Sequence, residues 1–517
     1  MNLQEHTRMS ENLMKAMSSE LEAELIQTHI STIILSADLV YKLKKPVDFG
    51  FLDYSTLEKR HKYCLEEMRI NEGYAPKLYM GVVPITGTIE DPRIDGEEKV
   101  LDYAVKMRRF EQRDQLDNIV EEEGLEIELM DKIAALVARS HEGTAPVDAA
   151  SDYGEPKRVL LPMVENFDLL QFIAHEHALD LELSSVIAWT NEQFERLKPL
   201  LQQRKEKGFV RECHGDMHLH NMALHEGELI LFDAIEFNPY LNHIDVISDL
   251  SFLLMDLEYR GLIRHSHRLM NHYLELTGDY EAVVLLDFYK TYRAMVRAKV
   301  AALRIGQEME ADKRTVLMDE VLRYIDLAKN YCERKEPFLA IAHGLSGSGK
   351  STFALMMVEE HGVVRIRSDV ERMRMFEREK EDTLEEGIYT QDATKATYEH
   401  LLELATSVYK GGYPVIVDAT FLKQWQRQIF FKYARLANIP FYLFTMACDI
   451  KLMQSRVEQR SQEGSDISEA DLGVLQMQQK SVEPLSESER ELEVIIDCTS
   501  SASMSESASK IEKRSLC

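Results

Sequence analysis

The sequence predicts two domains in tandem: a two-lobed α+β domain, then an α/β domain built on a parallel sheet. Three observations predict this. The chain has 517 residues, more than one core comfortably organises. Between residues 33 and 107, β-rich runs flank a single helix signature, and after about Leu125 the apolar spacing becomes helical. Beyond the charged, proline-ended stretch Glu333–Pro337, short apolar runs alternate with helical segments, the order that builds parallel sheets. The expected limits are 1–332 for the first domain, 338–498 for the second and 499–517 for a Ser-rich tail, partly helical or frayed.

Residues 1–30 read as a short helical lead-in. Ile33–Ser36 and Leu39–Val47 read as a hairpin around Ala37-Asp38. Ser55-Thr56-Leu57-Glu58 has the S-x-x-E form of a capping box and opens a helix to about Glu72. Tyr79–Ile85 and Val100–Met107 are further strands. Leu129, Ile133, Leu136, Val137 and His141 recur at helical spacing, as do apolar residues within 168–206 and 244–330. The short strand Leu229–Phe232 ends at Asp233. In the second domain the strands expected are Phe338–His343, Val363–Arg367, Val415–Val417, Phe441–Met446 and Val494–Ile496.

Composition narrows the function classes. The chain is 45% hydrophobic and 29% charged, ordinary for a globular protein. No run approaches the roughly eighteen apolar residues needed to span a bilayer. The first twenty residues lack the apolar core of a signal peptide. Cys64, Cys213, Cys332, Cys448, Cys498 and Cys517 form no C-x-x-C pair, so neither a zinc framework nor a disulfide framework is indicated. A reducing, cytoplasmic setting is expected. A net charge of −28 repels polyanions and argues against general nucleic-acid or anionic-membrane binding.

Two segments carry phosphate chemistry. The first is His214-Gly215-Asp216-Met217-His218-Leu219-His220-Asn221, with H-x-D-x-x-x-x-N spacing. Transfer of a phosphoryl group needs a carboxylate to orient an acceptor hydroxyl and take its proton, and oxygen ligands for magnesium. Asp216 stands where the carboxylate belongs, Asn221 where the loop amide ligand belongs, and Asp233 ends the next strand as a metal carboxylate. A strand lysine must also reach the phosphates, held by a helix glutamate. Lys42 is the lysine of choice, with Lys44 on the same strand face in reserve; Glu67 is the expected partner, with Glu66 second. The competing reading of the loop is a metal site made by His214, His218 and His220.

Residues 20–330 resemble the aminoglycoside phosphotransferase-like branch of the protein-kinase superfamily. The likeness is carried by Val40–Gly50, His214–Asn221 and Leu231–Asn238, with Asp245 and Asp249 following. It implies Asp216 as catalytic base, Asn221 and Asp233 as magnesium ligands, and Asp249 as a brace of the catalytic loop. The chain departs from the wider superfamily in one respect: no G-x-G-x-x-G cover precedes Lys42, where Thr28-His29-Ile30-Ser31-Thr32 stands instead.

The second segment is Gly344-Leu345-Ser346-Gly347-Ser348-Gly349-Lys350-Ser351, a G-x-x-x-x-G-K-S phosphate loop between an apolar strand and a helical run from Thr352. Its glycines let backbone N–H groups turn inward around a phosphate, and the helix N-terminus adds positive dipole. Lys350 is expected at the β/γ-phosphates and Ser351 at magnesium. Asp418 is placed to support the magnesium shell. Asp369 is placed either to accept a proton from an acceptor hydroxyl or simply to cap a helix. Arg456 and Arg460 share a helix face, as a lid over the γ-phosphate or as a solvated basic stripe.

Residues 338–498 resemble the small P-loop kinases near gluconate kinase, polynucleotide kinase and zeta-toxin-like enzymes. Gly344–Thr352, Arg367–Arg372 and Val417–Phe421 carry the likeness. It implies acceptor-side roles for Asp369 and Arg372 and a lid over Arg456–Leu475, including Asp466–Ala470. The whole chain is similar to bacterial bifunctional proteins that join these two parts: an α+β bilobal protein-kinase-like domain, then an α/β P-loop NTPase domain with an AAA-type ATP-binding label.

The expected function is an ATP- and Mg2+-dependent phosphotransferase with two sites, each passing a γ-phosphate to a hydroxyl of a small molecule. The alternative is an ATP-binding regulatory or sensing protein in which one module is catalytically weak. Neither signature identifies an acceptor.

Overall fold

The computed structural model describes residues 1–18, 23–50, 52–177, 179–305, 310–379, 390–463, 472–500 and 502–507. By contacts the chain divides into two units, Met1–Tyr259 with Tyr289–Lys329, and Arg260–Phe288 with Asn330–Cys517. The division is therefore not the linear one expected at 333–337, because Arg260–Phe288 goes with the second unit.

The first unit opens with a helix, Leu3–Ser18, followed by six strands: β1 (Glu24–Gln27), β2 (Ser31–Leu35), β3 (Leu39–Lys44), β4 (Tyr79–Gly87), β5 (Pro92–Ile94) and β6 (Val100–Arg108). Their order in the sheet is β1-β2-β3-β6-β4-β5, antiparallel throughout. The lead-in expected to be helical over 1–30 thus contains a strand, since Leu25 and Ile26 gain partners in Ile34 and Ile33. Met9 and Leu13 of the first helix cover one sheet face with Ile34, Leu43, Ile85 and Ala104. Burial of each such side chain is worth about 1.5–3 kcal/mol.

The helix Leu57–Tyr74 lies on the other face, where Cys64 packs with Tyr79 and Val105. Its cap is Thr56, whose hydroxyl accepts the Lys59 N–H at 3.3 Å, rather than Ser55. Ser55 instead donates to Asp53 at 2.6 Å; with Thr56 as cap the third helical residue is Lys59, so a single cap stands in place of the expected box. The inward face of this helix is Arg60, Cys64, Glu67 and Asn71, mostly polar at helical spacing.

The rest of the unit is largely helical. It includes Leu129–Gly143, Pro156–Glu176, Ser184–Glu206 and Val246–Tyr259. Two small ladders interrupt the helices. β7 (Val210–Glu212) pairs with β10 (His243–Asp245), and β8 (Met222–His225) pairs with β9 (Glu228–Leu231).

The second unit holds five parallel strands: β11 (Leu339–His343), β12 (Val364–Arg367), β13 (Val415–Asp418), β14 (Phe441–Ala447) and β15 (Glu493–Asp497). Their order is β12-β13-β11-β14-β15. β11 and β13 are buried along their whole length, as strands covered on both faces must be. The helix Ile263–Thr277 covers the edge strand β12. Asn271 accepts the Arg365 N–H at 2.7 Å, and Glu275 pairs with Arg365 and Arg367 at 3.0 and 3.1 Å. An edge-strand N–H that the sheet leaves unpaired is thereby satisfied. The tail expected from Thr499 begins inside this unit: residues 502–507 are helical, and Met504 packs with Phe353 and Ile496. Among the described residues, no helix is long and apolar enough to cross a membrane.

Candidate functional site

The β8–β9 hairpin of the first unit gathers the residues of the first motif. Asn221 immediately precedes β8, and Asp233 lies two residues past β9. The Phe232 N–H donates to Asn221 O at 3.1 Å, closing the hairpin and bringing both ends to one place. Asn221 Nδ2 donates to Asp216 at both its carbonyl (3.0 Å) and its carboxylate (3.2 Å). That turns the Asn221 side-chain oxygen away from Asp216. Asp233 adopts φ +62, unusual for a residue with a side chain, and donates its N–H to Tyr79 OH at 3.1 Å.

Lys42, on β3, is 2.9 Å from Glu67 Oε1 and also pairs with Asp233 Oδ1. The strand lysine, the helix glutamate and the post-strand carboxylate are thus one connected group. Lys44, the reserve lysine, points elsewhere: it pairs with Glu67 Oε2 at 2.6 Å and with Glu236. Glu66, the second choice of partner, sits on the outer face with Arg69 at 2.6 Å.

The loop itself is held from behind. Asp249 accepts the N–H groups of His214 (3.0 Å) and Gly215 (2.9 Å), and His141 Nε2 lies 3.3 Å from it. This is the bracing position that the resemblance implied. Arg293 donates to Gly215 O at 3.0 Å, and Asp256 accepts the Leu219 N–H at 3.0 Å. The three histidines do not converge. His214 contacts Phe232 O, His218 lies 3.3 Å from Asp216, and His220 bonds Asp117 at 2.7 Å. Among the described residues, the group that could hold a metal is instead His141, Cys213 and Asp249. Burial pushes the Cys213 thiol well above its ordinary range, and the Asp249 oxygens already face two backbone donors.

Electrostatics keep the Asp216 carboxyl ionised. Burial favours the neutral form of Asp216, but its interactions with His218, first, and then Arg297 and His214 outweigh it and hold the carboxyl below its ordinary value. Lys42 is pulled down by burial and up by Asp233 and Glu67, ending well above its ordinary value and so charged. For a divalent ion the fit is chemical: an amide oxygen at Asn221 and a half-exposed carboxylate at Asp233 are hard oxygen donors of the kind magnesium takes.

In the second unit, a cleft of about 580 Å³ opens where the phosphate loop meets the carboxyl ends of β12 and β13. Ser346, Gly347, Gly349, Lys350, Ser351 and Thr352 line it from the loop side. Asp369, Asp418 and Arg456 line it from the others, so the two strand-end acids and Arg456 share one cleft with the loop. Gly344, Leu345 and Ser348 do not line it. Gly347 (φ +76) and Gly349 (φ +96) take left-handed backbone, and Gly349 caps the helix Lys350–His361. Lys350 Nζ donates to Leu345 O at 2.9 Å, and Gln478 accepts the Ser346 N–H at 2.8 Å.

Asp369 lies in the first turn of the helix Ser368–Glu379. Burial, then the nearby Asp418 charge, push its carboxyl above the ordinary value, against the pull of Arg372, Arg367 and Lys350. Arg372 acts on Asp369 by its charge but does not line the cleft. Arg456 donates to Cys498 O at 2.8 Å. The Arg460 side chain and residues 464–471 of the expected lid lie outside the described residues.

Sequence reasoning missed Arg367, Thr499 and Ser500 in the lining of this cleft. Arg367 was legible as the residue before Ser368-Asp369; the two hydroxyls were assigned to a tail. In the first unit Glu236 lay within the segment Leu231–Asn238 that carries the likeness but was given no role of its own.

Comparison with known proteins assigns part of the chain. The family described as "AAA domain" matches residues 339–485. Uncharacterized proteins of Mycobacterium bovis and Mycobacterium tuberculosis are 28% identical over 445 residues, covering 85% of this chain and 86% of theirs. Among solved structures, a gluconokinase from Sinorhizobium meliloti is 18% identical over 35% of this chain and 98% of its own, with a TM-score of 0.27. A choline kinase from Cryptosporidium parvum is 9% identical over 60% of this chain and 90% of its own, with a TM-score of 0.38. A Plasmodium vivax ethanolamine kinase is 10% identical over 60% and 82%, with a TM-score of 0.35. The phosphate loop, the parallel strand order and the match over 339–485 agree: the second unit carries a P-loop domain of the AAA family.

Proposed function

We propose that the chain is an ATP-dependent phosphotransferase with two nucleotide sites, one per unit, each acting on a hydroxyl of a small molecule. The observation that carries this reading is the pairing of Lys42 with both Glu67 and Asp233 on the same chain as a phosphate loop whose cleft holds Lys350, Asp369 and Asp418. The AAA-family match supports ATP-dependent phosphotransfer in general.

In the first site, Lys42 neutralises the α/β-phosphates, and Glu67 fixes its ammonium. Asp216, ionised, orients the acceptor hydroxyl and receives its proton as the oxygen attacks the γ-phosphorus and the bond to the bridging oxygen breaks, releasing ADP. Asn221 and Asp233 would hold magnesium, which when bound neutralises charge on the phosphates. In the second site, the loop N–H groups and Lys350 cradle the β/γ-phosphates, and Arg456 screens the cleft from the lid side. Ser351 and Asp418 would hold the ion there. Asp369, with its raised value, is poised to take the acceptor proton, and Arg372 tunes it.

The test is ATP-binding stoichiometry by titration calorimetry, with Lys42→Ala, Lys350→Ala and the double variant. Two sites are expected in the wild type, one in each single variant and none in the double. Loss of all binding in Lys350→Ala alone removes the first unit from the reading. A screen of metabolite extract with γ-labelled ATP then finds the acceptors. Binding at two sites with no labelled product favours a sensing role instead.

A further inference from the structure

The charged groups beside Asp233 close into a ring. Asp233 pairs with Lys42, Lys42 with Glu67 Oε1, Glu67 Oε2 with Lys44, and Lys44 with Glu236. Glu236 lies three residues after Asp233, so both ends of this chain of ion pairs return to one segment. Tyr54 OH donates to Glu236 as well. Lys44, Glu67 and Glu236 are buried, whereas Asp233 is half-exposed at the front. Buried charge is tolerated only when it is paired and hydrogen-bonded, and each buried member here has two or more polar partners.

One lysine–glutamate pair is enough to place a phosphate-binding ammonium, so Lys44 and Glu236 need their own explanation. Glu67 gives one oxygen to each lysine, which fixes its carboxylate from two sides. Glu236 ties the back lysine to the segment that carries Asp233 in its left-handed backbone conformation. The ring therefore sets the distance between the Lys42 ammonium and the Asp233 carboxylate. We infer that Lys44 and Glu236 are positioning residues that hold Lys42 and Asp233 in register, so that triphosphate and divalent ion are bound together rather than separately. This inference rests on the reading of the first unit as an ATP site.

The test uses the full chain carrying Lys350→Ala, so that only the first site binds nucleotide. ATP affinity is measured by calorimetry with Mg2+ and with EDTA, and the ratio of the two is the readout. Glu236→Gln leaves Lys44 short of a counter-ion and is at risk of unfolding. The deciding variant is therefore Lys44→Met with Glu236→Leu, which removes both charges and preserves bulk. That double variant is expected to keep its thermal unfolding midpoint within a few degrees. Its Mg2+-dependent gain in ATP affinity is expected to fall at least tenfold, with affinity in EDTA changed less than threefold. A double variant whose Mg2+ gain equals the parent's overturns the inference while leaving the ATP site standing. Equal loss with and without Mg2+ also overturns it, since that is general damage. A parent that binds no ATP brings down the inference together with the reading beneath it.

Discussion

Lys42 and Glu67, 25 residues apart on a strand and a helix, meet as a buried pair at 2.9 Å. Removing one partner of a buried ion pair costs about 3–5 kcal/mol when the other charge is left alone. The two residues are not equivalent here. Lys42→Met leaves Glu67 with Lys44 and leaves Asp233 half-exposed to water, whereas Glu67→Gln takes one of the two carboxylates from each of two lysines and puts a neutral amide into a fully buried site between their ammonium groups. Lys42→Met is thus expected to destabilise the first unit by about 1–2 kcal/mol and Glu67→Gln by about 3–5 kcal/mol. Urea unfolding of both variants checks the order. A larger loss in Lys42→Met shows that Glu67 is not the shared partner.

The same pair sets a pH dependence. Burial alone would raise the Glu67 carboxyl, but Lys42 and Lys44 outweigh it and bring it down to about 2 from its ordinary 4.5. The unfolded chain then holds the proton more tightly than the folded one. The stabilisation is complete above about pH 4.5 and is lost as pH falls through 4.5 towards 2. The chain has two tryptophans, Trp189 in the first unit and Trp425 in the second. In a Trp425→Phe background, Trp189 fluorescence reports the first unit alone. The stability gap between wild type and Glu67→Gln is expected to be constant from pH 7 to 5 and to narrow below 4.5. A gap that stays constant down to pH 3 contradicts the assignment.

Much of this was legible from sequence, for physical reasons. The phosphate loop was legible because a glycine-rich turn between strand and helix admits few other uses. Asp216, Asn221 and Asp233 were legible because a loop and a hairpin fix their spacing along the chain. The register of Glu67 was harder: the helix Leu57–Tyr74 turns Arg60, Glu67 and Asn71 inward, so apolar periodicity does not mark its buried face. The Lys44–Glu236 pair spans 192 residues and leaves no local pattern at all. β1 was hidden because a four-residue strand with exposed ends has little alternation to show.

Asp369 offers a kinetic prediction for the second site. Its carboxyl is raised by burial first and by the Asp418 charge second. A proton acceptor works only when ionised, so the transfer rate should climb with pH through a value above the ordinary 3.8. Asp369→Asn is expected to lower transfer to the acceptor by about 10²–10⁴-fold. ATP affinity should change less than about twofold if Asp369 serves the acceptor side, as the proposed function has it. Single-turnover transfer from γ-labelled ATP checks both. A loss confined to ATP affinity would move Asp369 to the nucleotide side.

Gly347 tests the loop backbone. It sits at φ +76, and a Cβ there would stand 2.6 Å from Met453 O. That oxygen belongs to the main chain of the helix Ile450–Glu463 and cannot swing aside as a side chain would. Left-handed backbone adds about 1–2 kcal/mol for a residue with a side chain. Gly347→Ala is expected to abolish ATP binding at the second site and lower the stoichiometry from two to one. Retention of two sites shows that the loop adapts.

The helix Ile263–Thr277 lies far from the phosphate loop in sequence, yet it completes the second unit. Asn271 and Glu275 meet Arg365 and Arg367 on the edge strand, and Arg268 pairs with Glu359 at 2.9 Å. Leu269, Met270, Tyr273 and Leu274 are buried on the same helix. A fragment beginning at Asn330 loses all of these at once. It leaves the Arg365 N–H unpaired and two arginines without their carboxylate. Each unsatisfied buried polar group costs about 1–3 kcal/mol, and the lost apolar burial adds to it. The fragment 330–517 is therefore expected to lack a cooperative thermal transition by circular dichroism, and the same fragment joined by a flexible linker to residues 260–288 is expected to regain one. In the full chain, Glu275→Gln should weaken the second unit by about 3–5 kcal/mol, since one carboxylate serves both arginines. A fragment that melts cooperatively without the helix would make residues 260–288 an accessory of the P-loop fold rather than part of its core.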